Sequence, residues 1–442
     1  MAGGEGGPSF ESTPSWIIGA VVFLMVAVSW FTEKLLSFLG QMLKRKEKKP
    51  LYDALQKIKE ELMLLGFVSL LLAVFQDEIA STCISEKLAK KWIPCHVEKS
   101  TSNDISHFQI SLLPSGGRRL LAEETTFSCP KGKAPFVSVG VLHQLHYLIF
   151  ILAIVHLVSC TVTVLLGEVK ISQWWKWEES IRRQIDVNND TDRVIDIRSL
   201  TFIKERFEGV DAKKRNYAIS FFKHLAGIVT KADYTAMRLG FILTHCNANQ
   251  TFNFHKYMVY AYEADFQKVV SISWFLWILV VSSLTFNVAS WNIYLWLSFI
   301  PLILLLLVGT KLEQVITELA IYVAQRHSVL VGEVRIQPSD EYFWFSKPKF
   351  VLCLIHVILF LNSFGFAIFF WTLLKFGFHS CVMGEAKYVY GRISIMVVVQ
   401  TICSYSTLPL YAIVTQMGSS YNEAAMKRHG FLRNETQQLE LR

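Results

Sequence analysis

The stretch YLIFILAIVHLVSCTVTVLLG, residues 147–167, decides what kind of protein this is. It contains no Asp, Glu, Lys or Arg, and a single histidine, His156. About 20 mainly apolar residues in a helix cross the ~30 Å hydrocarbon layer of a bilayer. A helix that is apolar on every face has no side to offer water, so its solvent is lipid or protein. Six further runs have the same character, at about 16–36, 62–76, 273–289, 293–309, 350–374 and 393–415. The second is short and crosses only untilted or with its flanking residues snorkelling. The fourth and fifth are separated by SWN, a tight hairpin whose Trp291 and Trp296 suit a membrane interface.

The reading is therefore an all-α integral membrane protein with seven transmembrane helices. Composition agrees: 18% charged residues, against about 25% in soluble domains, sets aside the soluble two- or three-domain chain that 442 residues would otherwise suggest. The net charge of +8 is not gathered into a basic stripe on a soluble domain, so nucleic acid is not an expected partner. The acidic, Gly-rich start carries no Lys or Arg and no small-residue cleavage site follows the first run, which reads as a true span.

Orientation follows from Lys and Arg in the short loops. The first 15 residues have none, whereas KRKEKKP (44–50) is strongly basic. The N-terminus is thus expected outside, and an odd number of spans puts residues 416–442 in the cytosol, where Lys427, Arg428 and Arg433 agree. The core of spans, 16–415, then has external loops at 77–146 and 375–392 and cytosolic loops at 168–272 and 310–349. Cys83, Cys95, Cys129 and Cys381 all fall outside, in the compartment where disulfides persist, and four cysteines allow three connectivities. Cys160, Cys246, Cys353 and Cys403 fall in spans or cytosol and read as small apolar residues. The sequons at Asn189, Asn249 and Asn434 lie on the cytosolic side and are expected to carry no glycan.

The loop 168–272 reads as a folded helical platform beneath the spans. ISQWWKWEESIRRQ (171–184) sets Trp174, Trp175 and Trp177 among charges and reads as an interfacial helix lying along the inner leaflet. No Gly-rich phosphate loop, HExxH or nucleophile elbow occurs, so neither an enzyme nor a required cofactor is expected.

Several long blocks carry a family resemblance: KPLYDALQKIKEELMLLGFVSLLL (49–72), RRLLAE (118–123), KADYTAMRLGFILTH (231–245), FHKYM (254–258), WLSFIPLILLLLVGTKLE (296–313), PSDEYFWFSKP (338–348) and CSYSTLPLYAIVTQMGS (403–419). In this order they resemble the plant MLO (mildew resistance locus O) proteins, from TPSW at 13–16 to Ser419. The resemblance implies a multi-pass protein of the plasma membrane or endomembranes, with an outside N-terminus and a cytosolic tail. It implies pairing among Cys83, Cys95, Cys129 and Cys381. It also implies roles in powdery mildew susceptibility, defence and cell death, calcium-permeable channel activity or modulation of Ca²⁺ signalling, and regulation by calmodulin.

The tail departs from that pattern. A calmodulin target is an amphipathic basic helix with bulky anchors, and the family's helix carries a Trp. No Trp follows Trp371, Gly430 interrupts the helix, and Glu423, Glu435 and Glu440 offset the basic charge. Tyr421, Lys427, Arg428 and Phe431 are the residues left for such contacts. MGSS (417–420) is read as the last matching piece and the remainder as a shortened tail.

Ionisable groups at membrane depth are costly and so point to function. Asp77 and Glu78 close the second span, and His143 and His146 open the third on the same side. Carboxylates suit Ca²⁺ and imidazoles suit transition metals, so these four form a candidate ion site. The competing reading solvates all four at the headgroup boundary. His156 and His356 read as buried hydrogen-bonded residues, and Asn287, Asn362 and Gln400 as polar glue between helices. Pro301 and Pro409 are expected to kink the fifth and seventh spans. The leading function is an MLO-type regulator with Ca²⁺ as permeant or regulatory ion. Membrane lipids, calmodulin and further copies of the chain are its expected partners. The alternative is a seven-span receptor coupling to a cytosolic partner.

Overall fold

The computed structural model describes residues 49–85, 130, 133–137, 139–188, 229–245, 252–285, 293–329, 340–377 and 386–418, with isolated helical positions between 23 and 45. Most of the expected first span lies outside them, as do Cys95, Cys129, Cys381, the tail beyond Gly418, the sequons, Cys246, Trp291 and Asn287.

Helix α1, Lys49–Ser81, carries the second apolar run on its C-terminal half. The apolar run, Leu62–Gln76, is 15 residues or about 22 Å along the helix, shorter than a bilayer is thick. The helix ends where Ser81 and Thr82 donate their hydroxyls to the Glu78 carbonyl. Strand β1, Cys83–Ser85, then pairs antiparallel with β2, Lys133–Pro135, with Cys83 opposite Pro135. This two-stranded clip brings the chain back beside α1, ready to enter α2 at Val139.

Helix α2, Val139–Asn188, is 50 residues long, which at 1.5 Å per residue is about 75 Å. That is more than twice the hydrocarbon thickness. The expectation of a separate interfacial helix at 171–184 is therefore corrected: the segment continues the span without interruption. No Gly or Pro follows Gly167 within the helix to break it. Trp174, Glu178 and Ile181 are buried on one side, at the i, i+4, i+7 spacing of a helix face.

The platform is built on that face. Helix α3, Lys231–His245, opens with Thr230 and Asp233 exchanging hydrogen bonds: the Asp233 carboxylate accepts from the Thr230 amide and hydroxyl, and the Thr230 hydroxyl accepts from the Asp233 amide. This reciprocal cap satisfies donors that the first helical turn cannot. Helix α4, Phe254–Val270, is capped by the Asn253 side chain, which accepts from the Lys256 amide. Trp174, Tyr234, Phe241, Phe254 and Tyr257 pack ring against ring between α2, α3 and α4 at centroid distances of 4.7–5.8 Å.

Helix α5, Trp274–Thr285, follows α4 after three residues and is bent from it by 46°. Its 12 described residues are fewer than a crossing needs, and only together with α4 is the pair long and apolar enough to span. Helix α6, Ile293–Val329, contains the fifth run and Pro301, and α7, Pro348–Phe376, the sixth. Helix α8, Ala386–Ile402, passes through a π turn, Cys403–Thr407, into α9, Leu408–Thr415. The π turn precedes Pro409, which has no N–H to give a residue four positions back, so local i→i+5 bonding takes up the mismatch. Among the described residues four helices are long and apolar enough to cross a membrane, or five with the bent pair. Phe150, Ile154, Val158 and Leu165 form an exposed apolar stripe on α2, as a lipid-facing surface should.

Candidate functional site

The break between α4 and α5, residues 271–273, is half-buried against α2 and α7, with Ile272 turned into the core. A helix end leaves carbonyls without internal partners, and at membrane depth water is not there to satisfy them. Two buried histidines from neighbouring helices meet this need. His156 Nε2 of α2 lies 3.2 Å from the Val270 carbonyl oxygen, and His356 of α7 bonds the Ser271 backbone. The expectation that both are buried and hydrogen-bonded is borne out. Its purpose, holding a helix break, was not foreseen. Among the described residues His156 Nδ1 and His356 Nε2 have no hydrogen-bond partner.

Beside the break, α2, α7 and α8 share a polar network. Asn362 Nδ2 donates to Gln400 Oε1 at 3.1 Å and to the Met396 carbonyl at 3.1 Å. Gln400 Nε2 in turn donates to Thr163 Oγ1 at 2.9 Å and to Ser404 Oγ at 3.3 Å, and Ser404 donates to Thr163 at 3.1 Å. Asn362 and Gln400 thus act as glue between helices, as expected. A cavity of about 20 Å³ lies between this network and the break, lined by His156, Ser159, Cys160, Ser363 and Gln400. That is room for one water, and the unpartnered Ser363 Oγ and His156 Nδ1 are polar enough to hold it.

Below the network, Lys170 is buried with its ammonium 5.0 Å from the Tyr405 ring and 5.8 Å from Trp177. Tyr405 belongs to the π turn, so a cation–π contact ties α2 to the irregular part of the last span. Further on, Glu178 is 1% exposed and is held by Arg238 Nε at 3.1 Å and the Tyr234 hydroxyl at 3.0 Å. Burial, and then the Glu178 charge, hold the Tyr234 phenol well above its ordinary range, so it stays a donor. The sequence motif KADYTAMRLGFILTH thus supplies two partners of a carboxylate, 56 and 60 residues away.

The root of the tail is equally fixed. Tyr257 donates to Gln416 Oε1 at 2.6 Å, and His245 bonds the Gln416 backbone. Gly418 lies so close to Asp340 that a Cβ would overlap the carboxylate. The sequence matches the Mlo family over residues 7–433.

The chain belongs to the Mlo family. It is 48% identical to MLO-like protein 1 of Arabidopsis thaliana over 97% of its own length and 85% of that protein. MLO-like protein 15 of the same plant is 47% identical, over 96% and 86% of the two chains. MLO-like protein 13 is 44% identical, over 94% and 88%. No solved structure matches. The family match extends past Ser419, so MGSS is not the last matching piece as expected above.

Of the four residues of the candidate ion site, the Asp77 side chain lies outside the described residues. Ser69 Oγ of α1 lies 2.8 Å from the His146 ring, which engages that histidine between two helices. Glu78 is nine residues further along α1, about 13 Å by helical rise, and is exposed, as is His143. Among the described residues no group of three His, Cys, Asp or Glu is gathered as a metal site. Cys160, Cys353 and Cys403 are free. Tyr421, Lys427, Arg428 and Phe431 lie outside the described residues. The helix break was missed because Ser271-Ile272-Ser273 contains neither Gly nor Pro, the usual signs of interruption.

Proposed function

We propose that this Mlo protein passes or controls Ca²⁺ across the plasma membrane or an endomembrane, and so modulates plant defence and cell death. The observation that carries the reading is a broken helix beside a buried network of Gln400, Asn362, Thr163 and Ser404. Unwound backbone and neutral polar side chains at membrane depth are the means by which membrane proteins replace the water around an ion. A cavity of about 20 Å³ fits a closed conformation, and conduction requires the α4–α5 break to open.

The N-terminus is outside and the tail cytosolic in this reading, which the basic run at 44–50 supports. The four cysteines Cys83, Cys95, Cys129 and Cys381 pair on the outer side, with support from the disulfide-bonded state of Cys83. Calmodulin, where it binds the tail, pulls on a root held by Tyr257, His245 and Asp340. No catalytic chemistry is assigned.

Whole-cell recording with Ca²⁺ as charge carrier, after expression in animal cells, tests the reading. A cation current is expected for the native chain. Gln400→Leu, delivered to the surface in equal amount, is expected to change its amplitude or selectivity. A native chain at the surface with no current at any voltage counts against it.

A further inference from the structure

On the outer face of α6, away from the helix break, a groove of about 340 Å³ runs along the helix. Its floor changes character along the chain. Ile303 and Leu307 are exposed and apolar, then Lys311 and Gln314 follow at the same face, about 16 Å from end to end. Lys311 makes no hydrogen bond or ion pair with a described residue. Lys311 follows the apolar run 293–309, and its long side chain can carry the charge toward a lipid headgroup.

The groove wall is Trp344, and the backbone is strained to put it there. Phe345 (φ 56°) and Ser346 (φ 52°) are consecutive non-glycine residues in the left-handed region. Such geometry persists only where packing over-determines it, and it gathers at ligand clamps. Here it turns Trp344 toward α6 while leaving Phe345 79% exposed, edge-on to Phe350 at 5.4 Å. Lys347 and Lys349 follow within five residues and are exposed. An amphipathic Trp, an outward Phe, and lysines with no ion partner among the described residues suit a membrane interface better than a protein contact.

We propose that this groove is the binding site of one anionic phospholipid, its acyl chains along Ile303 and Leu307, its phosphate on Lys311 and Gln314, and Trp344 as the wall. The apolar length of the groove favours a lipid over a free phosphate. In the orientation proposed above the lipid comes from the cytosolic leaflet, and only that assignment rests on the functional reading.

Native mass spectrometry of the purified full-length chain, titrated with palmitoyl-oleoyl phosphatidylserine or phosphatidylcholine, tests the proposal. About fivefold tighter retention of phosphatidylserine is expected, the factor one lysine near an anionic headgroup provides. Lys311→Gln should abolish the preference while lipid still binds, and Leu307→Trp, which fills the groove, should lower retention of both. Equal retention of the two lipids by the native chain overturns the proposal. So does a preference that survives Lys311→Gln in a monodisperse sample, or displacement of the lipid by soluble glycerophosphoserine. Binding in a micelle requires neither current nor a given orientation, so its outcome is separate from that of the recordings.

Discussion

Tyr257 and Gln416, 159 residues apart, share a 2.6 Å hydrogen bond that joins α4 of the platform to the end of the last span. Both are buried, so the phenol and the amide have no water to turn to. Tyr257→Phe keeps the ring in place and removes one donor. It should cost about 1 kcal/mol of stability, read as a lower thermal midpoint in detergent. Tyr257→Ala should cost about 3–5 kcal/mol, because the ring also packs against Phe241.

The Glu178–Arg238 pair is more demanding. Arg238→Met leaves a carboxylate at 1% exposure with only the Tyr234 hydroxyl and the longer Arg182 contact at 3.6 Å. A loss of about 3–5 kcal/mol is expected, seen as poor yield of folded protein. Glu178→Gln in the same chain should recover most of it, since the charge that needed Arg238 is gone. Failure of the double variant to recover would show that the guanidinium acts by packing alone.

Inside the spans, Gln400→Leu removes the residue that links Asn362, Thr163 and Ser404. The partners stay buried with fewer bonds, at about 1–3 kcal/mol. Asn362→Leu in addition should cost much less than its own single effect, because both changes break one shared bond. A cycle of thermal midpoints measures that coupling.

Burial pushes the His245 imidazole down to about 4, against the pull of its bond to the Gln416 backbone. In the unfolded chain a histidine titrates near 6.5. The unfolded state therefore binds the proton first as pH falls. Stability is complete above about pH 6.5 and drops progressively toward pH 4. His245→Gln should flatten that part of the stability–pH curve, measured by thermal unfolding between pH 7.5 and 4.5.

Gly167 faces the Tyr262 hydroxyl so closely that a Cβ would overlap it. Gly167→Ala should destabilise by about 1–3 kcal/mol. Tyr262→Leu in the same chain should relieve the clash, and no relief would place the cost elsewhere.

Hydropathy alone located the four helices that are long and apolar enough to cross a membrane, because 147–167, 293–309, 350–374 and 393–415 are almost entirely apolar. It failed where apolar and charged residues share a helix. In α2 the tryptophans beside charges imitate an interfacial segment, yet Trp174 and Glu178 are buried against α3 and α4, partners more than 50 residues away. In α4 the residues Lys256, Glu263, Asp265 and Lys268 hide its continuity with α5. The ion site at Asp77, Glu78, His143 and His146 rested on sequence position near a membrane boundary. Helical rise separates His146 from Glu78 once Ser69 fixes where α1 and α2 meet. The motif KADYTAMRLGFILTH was conspicuous, but its role needed Glu178 beside it.

The unbroken α2 gives the molecule a mechanical lever. Its start follows the clip of β1 and β2, and its second turn is tied to α7 by Trp371, which donates to the Gln144 carbonyl at 3.1 Å. Its far half carries Glu178 into the platform. Over a rod of about 75 Å, a tilt of about 5° displaces one end relative to the other by about 6 Å. A small rotation at the clip is thus delivered at the Arg238 contact, about 58 Å along the rod, as a shift of about 5 Å, and at His156 and the break it holds as about 2 Å.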